Sequence, residues 1–296
     1  MTSTISCVIP THNRADYLRE ALASVGRQTL LPAEVIVVSD TPDAAAEQAV
    51  AAFGEASGIP MAFQTYSGAG GASESRNRGA ASATGDLLAF LDDDDTWAPG
   101  FLAASEAALA GSAATVAVSW ISMFKGEQSK LGPAIAPGLT ARDVVAVNAG
   151  TTGSNMVVER SAFEHSGGFD PELRMKNDTD FFYRFLKAGN TYAVVGERLV
   201  NQRKHESGQL TGHSKARADN TVRYLEKHRA DLSFADRRKL AFVIHRIRRH
   251  SSPKPTQRLY HLAMTAANYS VRQYRIDRAN KNDKNFFLIP ANESAQ

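Results

Sequence analysis

The chain has 296 residues, 43% of them hydrophobic and 22% charged, and a formal net charge of +3, which is the make-up of a globular protein and not of a fibrous or disordered one. No apolar run approaches the eighteen or so residues of a membrane span, and Met1-Thr2-Ser3-Thr4-Ile5 lacks the charged and apolar regions of a secretory leader. The single cysteine, Cys7, excludes a disulfide framework and reads as a small core residue, so a cytoplasmic protein is expected. The charge is uneven. Residues 214–290 hold about 18 Lys and Arg against about 6 Asp and Glu, which points to a separate basic C-terminal segment with a partner of its own.

Strand and helix signals alternate through the first two thirds. Ser6–Ile9 reads as a short apolar strand ending at Pro10. Tyr17, Leu18, Leu22 and Val25 give helical spacing across Asp16–Arg27. Glu34–Val38 is a β-branched run that ends at Ser39-Asp40, Asp43–Phe53 an Ala-rich helix, and Met61–Thr65 a third strand. After the Gly68–Gly71 loop, Ser73–Ala83 reads as a helix stopped by Gly85. Leu87–Leu91 is a continuous apolar run, the mark of a strand buried on both faces. Further on, Gly100–Ala110 reads as a helix, Thr115–Ser122 as a strand, Phe124–Gly138 as a loop and Thr140–Val147 as a short helix. Ser154–Val158 is a strand and Gly167–Pro171 a turn. Asn177-Asp178 opens a helix with Phe181, Phe182, Phe185 and Leu186 inward, and Tyr192–Val195 is a last short strand. From Ser214 to about Arg278 the pattern is basic and helical, broken at Ser251–Pro255, and only the last dozen residues look disordered. Such alternation predicts an α/β fold with a mostly parallel sheet covered on both faces.

Ligands of open α/β sheets sit at the carboxyl ends of the strands. Those ends carry Pro10-Thr11-His12-Asn13-Arg14, Ser39-Asp40 and the run Asp92-Asp93-Asp94-Asp95. Neighbouring carboxylates repel by roughly 1 kcal/mol in water and roughly 4 kcal/mol at an effective dielectric near 20. The run is either a solvated turn or a site for a hard divalent cation, which usually arrives with a phosphate. An EF-hand does not fit, because Trp97 stands where that loop needs glycine. Asp40 can cap the turn at Thr41-Pro42 or accept a nucleobase N–H. Arg76 and Arg78 suit phosphate oxygens but would ordinarily be solvated. Asp178 is a plausible helix N-cap, and His205 alone would be a surface histidine.

Taken together and in order, several stretches resemble the family 2 inverting glycosyltransferases of the GT-A fold. Cys7–Arg14 resembles that family's opening strand and loop, and Glu34–Asp40 its second-strand motif. Ser75-Arg76-Asn77-Arg78-Gly79 is similar to its Ala-Arg-Asn-x-Gly helix start. Gly85-Asp86 through Trp97-Ala98-Pro99 resembles its strand and Asp-x-Asp. Gly167–Asp170 with Asn177-Asp178, and then His205, resemble its acceptor-side motifs. The resemblance covers about residues 4–210. It implies a GT-A domain over 1–210, with a nucleotide-sugar half to about 110 and an acceptor half over 111–210, followed by a helical extension over 211–296.

The resemblance also implies roles. Pro10, Thr11, His12, Asn13, Arg14, Asp40, Arg76, Asp92 and Asp93 would bind the nucleotide. Asp94 and His205 would hold Mg²⁺ or Mn²⁺, with Asp95, Trp97 and Asn177 in support. Asp178 would be the general base for transfer from a nucleoside diphosphate sugar, UDP favoured, to a hydroxyl or amine of a small, carrier-bound or glycan acceptor. Ser39 stands where an Asp is common, and Asn177 where the base usually has an acidic neighbour. The basic extension lies outside the resemblance. It suits packing on the core, a homodimer or an acidic partner, and not nucleic acid, for which no reader motif is present. Two rival readings are a nucleotidyltransferase, which would want a Gly-rich loop after the first strand, and a non-catalytic sugar-nucleotide-binding protein, which would need no base.

Overall fold

The structure, a computed structural model, describes residues 3–68, 70–204 and 214–270. In chain order the first part holds β1 (Ile5–Thr11), α1 (Ala15–Gly26), β2 (Glu34–Ser39), α2 (Ala44–Ser57), β3 (Met61–Thr65), α3 (Gly71–Ser82) and β4 (Leu87–Phe90). Next come β5 (Thr96–Trp97), α4 (Phe101–Ala110), β6 (Val116–Lys125), β7 (Gln128–Leu131), α5 (Ala141–Val144), β8 (Met156–Glu159) and α6 (Arg160–His165). The last described elements are α7 (Asn177–Lys187), β9 (Tyr192–Arg203), α8 (Lys215–Lys227), α9 (Phe234–Ser251) and α10 (Pro255–Ala267).

The strands form one sheet in the order β3-β2-β1-β4-β8-β6-β9-β5, with β7 paired to β6. β1 runs parallel to both β2 and β4, and β2 to β3. β8 reverses direction between β4 and β6, β9 is parallel to β6, and β5 is antiparallel to β9. The sheet is therefore mixed, with its parallel part concentrated in the first four strands. Successive strand residues face opposite ways. Cys7, Ile9, Val35, Val37 and Ala89 join the layer under α1, α2 and α4, whereas Val8, Ile36, Val38, Leu88 and Phe90 join the layer under α3 and α7. Both faces are covered, which is why these strands read as unbroken apolar runs.

Several boundaries differ from the sequence expectation. Pro10, expected in the loop, is a buried residue of β1 in register with Val38. The carbonyl of Val8 accepts from Leu91 on the β4 side. Pro10, two residues on, turns its missing N–H the same way, past the last β1–β4 pair, so no ladder bond is lost. The stretch from Phe124, expected to be a loop, holds the β6–β7 hairpin, which turns through Gly126 at φ 57°. Its half-exposed polar strand carries no apolar alternation to betray it. β9 continues past Val195 to Arg203 after an irregularity opposite Ser119–Ile121.

The C-terminal helices begin by docking. α8 buries Ala218, Asn220, Thr221 and Tyr224, and Tyr224 Oη donates to the Val145 carbonyl at 2.7 Å. α9 packs on both α8 and α10 and buries Leu240, Phe242, Ile244 and Ile247. α10 buries no residue and leaves Leu259, Tyr260 and Leu262 exposed. Among the described residues no helix is long and apolar enough to cross a membrane. The expected disorder of the last residues lies outside the described residues.

Candidate active site

β1 has β2 on one side and β4 on the other, so the chain changes direction of progress across the sheet there. Such a switch point opens a crevice beyond the strands' carboxyl ends. Asp92–Asp95 leaves β4 into this crevice and returns as β5. The four carboxylates do not act alike. Asp95 is buried: its Oδ2 accepts from Ser154 Oγ at 2.7 Å and its Oδ1 from the Arg203 N–H at 3.0 Å. Asp93 is buried too, accepting from Thr11 Oγ1 at 2.8 Å and from Arg14 at 3.4 Å. Burial, then the charge of Asp94, pushes the Asp93 carboxyl up to about 6. Burial, reinforced by Asp92 and Asp94, also raises Asp95. Asp92 and Asp94 are the more open pair. Asp94 Oδ2 lies 3.0 Å from Arg14 Nη1, and Asp92 pairs with Arg76 Nη2. Asp93, expected against the nucleotide, thus sits beneath the turn and braces it, because its oxygens are used by Thr11 and Arg14.

Thr11 ends β1 and is buried in that bracing role. Beyond it His12 is exposed and its Nδ1 contacts Asp40 at the end of β2. Asn13 adopts a left-handed conformation, φ 51°, which asparagine tolerates better than most residues; it lets the chain turn before Arg14 and α1. Ser39, buried, donates to the Thr41 carbonyl at 2.6 Å and shapes the Asp40 turn. Trp97 is buried against Phe101 and donates from Nε1 to the Ser154 carbonyl at 2.8 Å.

Arg76, expected at the phosphates, is only 4% exposed. Its guanidinium lies over the Phe169 ring at 5.1 Å and against Gly153, where an added Cβ would fall 2.5 Å from Nη2. Nε and Nη1 have no hydrogen-bond partner among the described residues. Within this enclosure Arg76 can orient Asp92 but offers little surface to a ligand. The next residue, Asn77, donates to the Phe169 carbonyl at 2.7 Å and accepts its N–H at 2.9 Å, so the Gly167–Asp170 turn is clipped to α3.

Asp178 stands in the first turn of α7. Its Oδ2 accepts from Asn148 Nδ2 at 3.0 Å and its Oδ1 from the Thr179 N–H at 2.6 Å. Burial raises its carboxyl above the ordinary value; the Thr179 bond and the charges of Lys176 and Arg76 oppose that rise. Arg76 is thus the common neighbour of Asp92 and Asp178. Asn177 accepts from the Asp178 N–H at 2.7 Å, and its Nδ2 donates to Ser73 Oγ at 2.9 Å, which ties α7 to α3. His205 lies outside the described residues.

Sequence reasoning missed three groups. Ser154 joins two parts of the acidic turn, donating to Asp95 and accepting from the Asp92 N–H at 3.1 Å. Asn148 orients the Asp178 carboxylate. Arg203 donates from Nε to the Asp94 carbonyl at 3.1 Å, packs on Tyr17 and Phe124, and pairs with Glu20. The signal for the first two was the polar stretch Asn148–Asn155, with two glycines between a helix and a buried strand. Among the described residues no three His, Cys, Asp or Glu side chains converge as a ready metal site.

Comparison with known proteins agrees with this geometry. The family model described as "Glycosyl transferase family 2" matches residues 6–167, more than half of the chain. An uncharacterized glycosyltransferase of Bacillus subtilis is 39% identical over 98 residues, 33% of this chain and 35% of its own length. One from Rickettsia typhi is 23% identical over 219 residues, 69% of this chain and 64% of its own. The chain therefore matches only about a third of the B. subtilis relative. In fold, S. aureus TarS 1-349 in complex with UDP-GlcNAc aligns with a TM-score of 0.61 at 16% identity, covering 93% of this chain and 92% of that one. The mannosyltransferase PcManGT of Pyrobaculum calidifontis, in complex with GDP-Man and Mn²⁺, aligns with a TM-score of 0.62 at 17% identity, covering 95% and 80%. With the family's sequence pattern running from β1 past β8, and the sheet built as in these enzymes, the chain belongs to glycosyl transferase family 2 and has the GT-A fold.

Proposed function

We propose that this protein is an inverting, metal-dependent glycosyltransferase that moves a sugar from a nucleoside diphosphate donor, UDP favoured, to a hydroxyl or amine acceptor. One observation supports the reading: on α3, Arg76 pairs with Asp92 of the acidic turn while Ser73 accepts from Asn177, the neighbour of Asp178, which favours one cleft for the donor and the base. A cytoplasmic setting is part of the same proposal and rests on the single, buried, unpaired Cys7.

The residues fit a divalent cation. Asp92 and Asp94 offer oxygen donors, and Asp93 and Asp95 lie behind them, their carboxyls raised first by burial and then by the charges of Asp92 and Asp94. Mg²⁺ and Mn²⁺ commonly take one or two carboxylates and complete their shell with substrate phosphates, so a ready three-residue cage is not required. Held by Asp94, with His205 as the second expected ligand, such an ion would supply Lewis-acid neutralisation of the departing diphosphate.

The chain's own residues do the rest. His12, Asn13 and Asp40 line the nucleotide end, and Thr11, Arg14 and Arg203 hold the acidic turn in place. Asn148 and the Thr179 N–H fix the Asp178 carboxylate. Its raised pKa makes it a better proton acceptor than a solvated aspartate. The acceptor oxygen or nitrogen bonds to the anomeric carbon while the bond to the diphosphate oxygen breaks, its electron pair leaving with the diphosphate. The proton lost by the acceptor goes to Asp178. One displacement inverts the anomeric centre.

A thermal-shift screen of UDP-, GDP- and dTDP-sugars with and without Mn²⁺, followed by nucleotide release, tests the proposal. We expect metal-dependent stabilisation by one nucleotide class and turnover abolished by EDTA. Stabilisation by none of them, or turnover indifferent to EDTA, would refute it.

A further inference from the structure

α10 packs on α9 by its polar side. A surface helix ordinarily does the reverse, burying its apolar stripe and leaving its polar face to water. His261, Met264, Thr265 and Asn268 recur at the three- and four-residue spacing of one helix face, and these half-buried residues are the ones turned to the protein. His261 Nδ1 lies 2.9 Å from His245 Nδ1 of α9. Near the other end of the helix, Arg238 Nη2 of α9 donates to the Ala267 carbonyl at 3.1 Å. Leu259, Leu262, Ala263 and Ala266 recur at the same spacing on the outer side. All four are exposed, Leu259 to 67% and Leu262 to 44%. Beside Leu259, Tyr260 sets its ring edge-on to His245 and His261 and is still exposed. Contiguous apolar side chains on a surface, unlike single ones, mark a face that meets something.

Charge narrows what that is. α10 contains no Asp or Glu. Residues 234–270 hold eight Lys or Arg against one carboxylate, Asp236, which is engaged by Ser233 and Arg142. Lys254 is exposed just before the helix, and Arg258, exposed next to Leu259, donates to the Ser252 carbonyl at 2.7 Å. A second copy of the chain would bring the same positive charge to the contact, where it repels. A bilayer containing anionic lipid offers the opposite charge and receives apolar side chains without needing a groove. Tyrosine suits that boundary, because its ring is apolar and its hydroxyl polar.

We propose that α10 is an interfacial helix that lies on an anionic bilayer. Leu259, Leu262, Ala263 and Ala266 enter the boundary between head groups and acyl chains, and Lys254 and Arg258 meet the lipid phosphates. Two leucines and two charges give reversible attachment rather than permanent insertion. The docking does not depend on the donor chemistry, so it stands or falls apart from the glycosyltransferase reading.

Co-flotation of the full chain with vesicles of phosphatidylcholine, and of phosphatidylcholine mixed with phosphatidylglycerol, tests this over a salt series. The chain should float with the mixed vesicles, be released as salt rises, and stay behind with phosphatidylcholine alone. Leu259→Ser combined with Leu262→Ser leaves the charge unchanged and should weaken partition about tenfold or more. Lys254→Gln should weaken it about fivefold. Both variants should keep the parent's melting temperature, because the substituted side chains are exposed. Absence of flotation with the mixed vesicles overturns the proposal. Flotation that the leucine substitutions leave unchanged also overturns it, being only the attraction of a basic chain for an anionic surface. Sedimentation velocity on the same samples adds a further check: a dimer that the leucine substitutions split assigns the face to a second copy and overturns the lipid assignment. A melting temperature lowered by those substitutions assigns the face to another part of this chain and overturns it too.

Discussion

Asp180 is the residue whose loss should tell most about how the segment around Asp178 is held. It is fully buried one turn into α7. Its Oδ2 accepts from Arg184 Nε at 2.8 Å, and its Oδ1 lies 2.7 Å from His228 Nε2 and 2.9 Å from Lys227 Nζ of α8. Burial alone would raise its carboxyl; the His228 bond and the Arg184 and Lys227 charges overcome this and bring it down to about 2 from 3.8. A carboxyl held lower in the folded state binds fewer protons there than in the unfolded chain, so it stabilises the fold above pH 4. That contribution fades as the pH falls from about 4 to about 2. The shift corresponds to about 2.5 kcal/mol at neutral pH. Asp180→Asn forfeits this and leaves Arg184 and Lys227 without the carboxylate they share, and breaking a buried pair typically costs about 3–5 kcal/mol. Urea unfolding followed by circular dichroism should show a loss of about 2–5 kcal/mol at pH 7, unchanged at pH 5 and shrinking below pH 4. A variant as stable as the parent at pH 7, or a deficit that persists undiminished at pH 3, would refute this account of the network.

Two further outcomes follow from the site. Gly153→Ala places a methyl 2.5 Å from Arg76 Nη2; overpacking of this kind costs about 1–3 kcal/mol. It should weaken nucleotide binding through displacement of Arg76 from Asp92, read by calorimetry and denaturation on the same sample. Asp178→Asn should lower kcat about 10²- to 10⁴-fold with donor affinity retained. In the parent the acid limb of the kcat profile should lie above the ordinary carboxylate value, because burial raises the Asp178 pKa and protonation removes the base as the pH falls.

What the sequence disclosed depended on whether a residue's role left a pattern. Cys7, Val8 and Ile9 alternate between two core layers, and because both layers are apolar the strand shows as a run. Carboxylates at the end of such a run had to meet the crevice, so the acidic turn was legible. Which of them point inward was not, since Asp93 and Asp95 are assigned by single bonds to Thr11, Ser154 and Arg203 that carry no period. The same holds for Asn148, more than two dozen residues from the carboxylate it orients. Arg76 lies beside the acidic turn, and its burial follows from Gly153 and Phe169, which only the fold brings together. The hairpin after Phe124 escaped because a half-exposed strand of Gln, Ser and Lys looks like a loop.

The family pattern ends at residue 167, and Asp178, the proposed base, stands in the first turn of α7 eleven residues later. What positions Asp178 therefore comes from two sources. From the family side, Ser73 holds Asn177 and Asn77 holds the turn at Phe169. From the other side, α8 grips the same short segment: Asn220 accepts from Met175, Tyr224 lies under Lys176, and Lys227 and His228 close on Asp180. The basic helices are thus part of the frame that holds Asp178. On the proposed reading, a chain of this family could keep its donor site in the matched region and vary its acceptor through α8 and α9, because those helices touch the segment that carries Asp178.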